Sequence, residues 1–293
     1  MGVGGIRTLG RLLKRALRRF VEDEGSVHAG HAAFSTLLAL FPFLIFLTTL
    51  AAFLGAAQRA DDLVALAFNF LPPEVAKTLA PTIKEVVSNK RGSILTISMI
   101  GTIWAASSGV EALRAALNRA YDVARPRGFV FRRLQGIALM TLAAGVVLVV
   151  TSIVIVGPLV WKFATTHFEI PRSWTWLWLG ARFGFAFLVI FAGASVLYRW
   201  LPDHAPGWRY VWPGAALTAV LWMGLANLFS VYLKNVGQYH AIYGSLGGVI
   251  LTLVFFFVSA IIFVFGAEWN AALKWDRRRG EVEATNAVRT RSL

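Results

Sequence analysis

A chain of 293 residues that is 57% hydrophobic, with a mean hydropathy of +0.63, is too apolar for a soluble domain and points to a membrane protein. Cys is absent, which excludes disulfides, Fe–S clusters and thiolate chemistry. A net charge of +14 would mark nucleic-acid binding in a soluble protein; in a membrane protein the question is which loops carry it.

Residues 6–20 place Ile6, Leu9, Leu13, Ala16, Leu17 and Phe20 on one helical face, and Arg7, Arg11, Lys14, Arg15, Arg18 and Arg19 mostly on the other. A basic amphipathic arm of this kind, residues 1–30, either lies on an anionic leaflet or is a solvated tail. Glu22, Asp23 and Glu24 break the run.

The first membrane span is expected over 32–57. It is too long, and wrongly flanked, for a cleaved signal segment, so it is expected to be retained. Pro42 interrupts it, where it removes a backbone hydrogen bond and kinks the helix. Residues 58–93 are polar but patterned. Leu63, Leu66 and Phe70, then Val75, Leu79, Ile83 and Val86, predict two short amphipathic helices at the outer mouth, divided by Pro72–Pro73.

Further spans are expected over 93–117, 134–161, 174–200, 210–233 and 244–272. The last is the most apolar, with no charged residue from Gly244 to Ala267. That run, roughly 36 Å long as a helix, crosses a hydrocarbon core of roughly 30 Å. Gly244, Gly247 and Gly248 at its start leave room for a neighbouring helix. The fold class is therefore an all-α polytopic membrane protein: a six-span domain over 31–275, followed by a polar tail over 276–293 that is expected to fray. No internal repeat argues for an inverted-repeat transporter.

Six spans put both termini on one side. Lys and Arg gather there: six in the arm, six in the connection from Arg114 to Arg133, Arg199 and Arg209, and six in the tail. The opposite side carries five in 58–93, then Lys162, Arg172 and Lys234. The positive-inside rule then predicts cytoplasmic termini, and it accounts for the charge without nucleic acid.

Six strings resemble the BrkB/YihY family of bacterial inner-membrane proteins: AAFSTLLALFPFLIFL (32–47), WAASSGVEALRAALNRAYDV (104–123), LYRWLP (197–202), WPGA (212–215), YGSLGGV (243–249) and GAEWNAAL (266–273). Each is weak alone; their order and spacing over residues 15–275 are specific. The family often has Trp where this chain reads Phe255 or Phe256. The resemblance implies a six-span inner-membrane protein and little about activity. Members have carried a ribonuclease label, which we read as an error of assignment, and others are linked to serum resistance or envelope lipid export.

Ionisable groups inside spans are costly and mark candidate sites. Trp104, Ser107, Glu111, Arg114 and Asn118 recur at helical intervals as one polar stripe on the second span. The stripe either lines a cavity that meets a substrate headgroup, or holds a self-neutralising Glu111–Arg114 pair with Asn118 bonding between helices. Arg182 lies deeper, between Gly180 and Gly184, two positions that would let another helix close in. It either snorkels or binds an anionic group, for which a guanidinium fork is well shaped. Glu268 either anchors the interface or pairs across helices with Arg114 or Arg119. His28 with His31, and Asp203 with His204, are too few for a metal site. No phosphate loop and no Ser/His/Asp arrangement is present, and no cofactor is expected.

Two functions follow. One is transport or translocation of an amphipathic, anionic envelope molecule such as a lipid. The other is a non-catalytic scaffold. Expected partners are membrane lipids, above all anionic inner-leaflet headgroups, with homo-oligomers or envelope proteins as further possibilities.

Overall fold

A computed structural model describes residues 3–51, 101, 103–167, 174–204, 206–235 and 239–291. The expected outer segment over 58–93 and the start of the second span lie outside the described residues. Everything described is helix or short connection, without strands.

Among the described residues seven helices follow in order: α1 (Val3–Glu22), α2 (Gly25–Ala51), α3 (Ser108–Ala120), α4 (Phe129–His167), α5 (Trp174–Trp200), α6 (Trp208–Asn235) and α7 (Tyr239–Arg291). Among the described residues, four stretches are long and apolar enough to cross a membrane: Phe129–Ile153, Gly180–Trp200, Trp208–Tyr232 and Gly248–Asp276. They answer to the third to sixth expected spans. α2 continues through Pro42 to Ala51. α7 runs unbroken for 53 residues, roughly 80 Å, so the expected fraying tail is helical to Arg291.

α1 ends at Asp23–Glu24, where Glu24 takes a left-handed φ of 52°. Gly25 must then be small, because a Cβ there would stand 2.5 Å from the Phe20 ring. α3 ends in the same way. Asp122 has φ 53°, Asp122 N donates to the Arg119 carbonyl, and Val123 N donates to the Asn118 carbonyl. This pattern satisfies the last carbonyls of the helix.

α7 is the centre of the bundle and packs against α6, α2, α1 and α3; α5 closes on α6, and α3 on α2 and α4. Ala29 and Ala32 of α2, Ala112 of α3 and Ala260 of α7 form one small-residue junction that lets three helices approach closely. A second core joins Leu44, Phe46 and Leu47 to Ala106, Met140 and Ala144. The largest core among the described residues gathers Leu117, Leu139, Tyr198, Leu201, Val211, Ala215, Phe263 and Ala267, joining α3 and α4 to α5, α6 and α7.

Candidate functional site

The residues preceding α3 are helical and pass into it through Ser107, whose φ of −75° and ψ of −7° keep the stripe on one face. Its members have separate fates. Ser107 is buried and donates to the Trp104 carbonyl at 2.9 Å. Trp104 is exposed beneath the Arg133 guanidinium, 3.6 Å from its ring, and its carbonyl accepts from Arg133 Nη2.

Arg114 is 1% exposed and sits at the junction of α3, α4 and the loop after α5. Its Nη1 donates to Gln135 Oε1 at 2.8 Å and to Asp203 Oδ1 at 3.3 Å; its Nη2 donates to the Arg132 carbonyl at 3.0 Å. Asn118 Nδ2 donates to Asp203 Oδ2 at 2.8 Å, and Asp203 N donates back to Asn118 Oδ1 at 2.9 Å. Gln135 Nε2 donates to the Trp200 carbonyl. Leu201, Pro202 and Asp203 are all buried, so the loop is pinned into the bundle end rather than left in water. Glu111 completes the group: its Oε1 lies 3.4 Å from Arg114 Nε, yet neither atom has a hydrogen-bond partner among the described residues. Glu111 is half-buried between α3 and α4, and its Oε1 lies 3.7 Å from where a Cβ on Gly136 would stand.

A second charge cluster joins α1, α3 and α7. Arg19 Nε donates to Glu268 Oε2 at 3.0 Å, and its Nη2 donates to the Ala120 carbonyl at 3.1 Å and to Asp122 Oδ2 at 2.9 Å. Glu268 thus meets Arg19, rather than Arg114 or Arg119, among the described residues. Arg119 pairs instead with Asp23 at 3.1 Å. The pairing differs because α1 packs back along α7, which sequence spacing does not reveal. Burial opposes the Arg19 charge, but hydrogen bonds to Asp122 and Glu268 outweigh it and hold the proton more tightly than usual.

Between α5, α6 and α7 the packing is closer still. Gly214 N donates to Asn270 Oδ1 at 2.7 Å, and Asn270 Nδ2 donates to Tyr121 OH at 3.3 Å. Burial pushes the Tyr121 phenol up, against that bond. Tyr198 OH donates to the Phe263 carbonyl at 2.6 Å and lies 2.7 Å from Thr218 Oγ1, with its ring stacked on Phe263 at 4.7 Å. A Cβ on Gly214 would overlap the Gly266 carbonyl and Asn270; one on Gly266 would overlap Thr218 and Tyr198. Here the LYRWLP, WPGA and GAEWNAAL strings meet, and Tyr121 joins the longer α3 string to them.

Arg182 stands apart. It lies on an exposed face of α5 with no ion pair among the described residues, 18 residues and so roughly 27 Å from Trp200. Gly180 and Gly184 are exposed beside it, and no described residue comes within 4 Å of a Cβ placed on either. Gly244, Gly247 and Gly248 all lie within α7, where the Gly248 carbonyl accepts from Thr252 Oγ1. No group of three or more His, Asp or Glu side chains among the described residues could hold a metal; His204 is exposed, and Asp203 is engaged by Arg114 and Asn118.

Sequence reasoning missed Asp203, Gln135 and Arg19 as members of these clusters. The available signal was arithmetic: a buried Arg114 and a buried Glu268 each require an opposite charge.

The family profile described as Virulence factor BrkB matches residues 16–291. The chain is 31% identical over 261 residues to the putative ribonuclease-like protein YfkH of Bacillus subtilis, covering 89% of this chain and 94% of that one. It is 26% identical over 258 residues to a UPF0761 membrane protein of Alteromonas mediterranea (88% and 85%). It is 25% identical over 262 residues to another from Pseudoalteromonas translucida (88% and 84%). No solved structure matches it. The chain belongs to the virulence factor BrkB family of membrane proteins.

Proposed function

We propose that this protein is a six-span inner-membrane protein with both termini cytoplasmic, and that it translocates an amphipathic, anionic envelope molecule such as a lipid. One observation carries the reading: Arg182 presents a guanidinium on an otherwise apolar exposed face of a membrane-length helix, without a carboxylate beside it among the described residues. A cation so placed in a bilayer needs an anion or water, and a headgroup phosphate or carboxylate supplies the anion. At the other end of the bundle Trp104 is exposed and Glu111 and Asn118 are half-buried, Asn118 being engaged by Asp203. Arg114, Asn118 and Ser107 direct their donors inward, which suits them to holding that end together. The outer contact and the inner contact then serve two ends of one path.

A second reading is favoured by the same inner cluster. Its charges are largely matched by one another, as in a scaffold whose polar groups are structural. A ribonuclease reading would borrow the printed name of YfkH, and the basic loops alone would attract RNA without cleaving it.

The deciding experiment is lipid movement in vesicles reconstituted with purified protein. Arg182→Ala and Glu111→Ala should each abolish movement while leaving the yield of folded protein unchanged. If both behave like the parent, translocation is wrong and the scaffold reading stands.

A further inference from the structure

α1 divides into three sectors. Leu12 and Ala16 are buried, and Phe20 meets Phe265 edge-on with centroids 6.2 Å apart, so this sector faces α7. Arg15 and Arg19 lock the rotation. Arg15 pairs with Asp276 and lies 4.3 Å over the Trp275 ring, and Arg19 reaches Glu268. The amphipathic face expected from the sequence is therefore split, with only part of it used in packing.

The remainder is a line of residues four apart, Leu13, Leu17 and Val21, which are 44%, 49% and 74% exposed. At 100° per residue this apolar line lies directly between the packed sector and a cationic one made of Lys14, Arg18 and Arg11, all exposed. Arg18 shares its charge with Glu22 at 2.7 Å, whereas Arg11 and Lys14 have no ion pair among the described residues.

We propose that this face of α1 docks on an anionic lipid leaflet, with Leu13, Leu17 and Val21 entering the headgroup–acyl boundary and Arg11 and Lys14 meeting headgroup phosphates. Two observations choose a lipid surface over other occupants. α1 lies against residues 265–276 of α7, the closing end of the stretch Gly248–Asp276, so a bilayer crossed by that stretch has its surface there. The charge also fits: a second copy of a chain with net charge +14 would bring cations to cations, whereas an anionic leaflet complements them. The proposal is independent of whether the protein translocates anything.

The absence of Cys makes the test clean. A Leu17→Cys protein, with Val21→Cys as a second choice should it misfold, is labelled with an environment-sensitive fluorophore and reconstituted into phosphatidylcholine vesicles with or without phosphatidylglycerol. Glu22→Cys, about 140° around α1 from Leu17 and beside Arg18 on the polar side, is the control. The expected result is a blue shift at position 17 and severalfold stronger quenching by brominated lipid than at position 22. Both effects should grow with phosphatidylglycerol and shrink when Arg11→Gln and Lys14→Gln are added. Equal access of water-soluble quencher to both positions in both lipids would overturn the proposal. A shift that follows protein density rather than lipid charge would overturn it in favour of a second copy.

Discussion

Arg114 and Asp203 lie 89 residues apart in sequence and meet with 1% and 0% of their side chains exposed. Each would be a costly buried charge alone; together with Asn118 and Gln135 they fasten the loop after α5 to α3 and α4.

Asp203→Ala should therefore destabilise the protein by about 3 kcal/mol, because it removes the fully buried one of the two carboxylates facing Arg114 and leaves Asn118 Nδ2 without an acceptor. Adding Arg114→Met should recover part of that loss, since the fully buried guanidinium is then gone, although Asn118 still lacks its acceptor and Glu111 loses its counter-charge. Thermal unfolding of the purified variants in detergent measures both. A double variant as unstable as the sum of the two single ones would refute the coupling.

Gly266→Ala and Gly214→Ala force a methyl group onto atoms of a neighbouring helix, so each should cost about 1–3 kcal/mol or more. Gly180→Ala and Gly184→Ala meet open space and should stay within about 0.5 kcal/mol of the parent. The same unfolding assay ranks the four.

Removing Arg19 leaves Glu268, 1% exposed, without the donor on its Oε2. Arg19→Ala should destabilise by about 3 kcal/mol, and Glu268→Gln by less, because the amide has no charge to strand. The two should also differ from the parent in the docking of α1. Ala16→Cys, fully buried in the parent, should react with maleimide severalfold faster once Arg19 is gone. An unchanged rate would mean that Arg19 does not hold α1.

The apolar segments were plain in the sequence because a bilayer-length run needs no partner to be recognised. The expected range 174–200 matches α5, and 210–233 lies within α6. The family strings were legible too, but not their convergence. That depends on Gly214 and Gly266 facing each other, a register between helices that single-helix periodicity cannot carry. Asp203 looked like a loop residue because nothing local reveals that Leu201 and Pro202 turn inward. α1 read correctly as basic and amphipathic, yet an apolar face does not say whether it meets lipid or another helix. Here Leu12 and Ala16 meet α7, while Leu13 and Leu17 do not.

The layout of the bundle across the bilayer is tested most directly by labelling single cysteines in intact cells, since the parent chain has none. With a membrane-impermeant maleimide, Lys84→Cys should react in intact cells, whereas Glu22→Cys and Arg209→Cys should react only after the membrane is opened. Labelling of Arg209→Cys in intact cells, or protection of Lys84→Cys until they are opened, would contradict a six-span bundle whose basic end faces the cytoplasm.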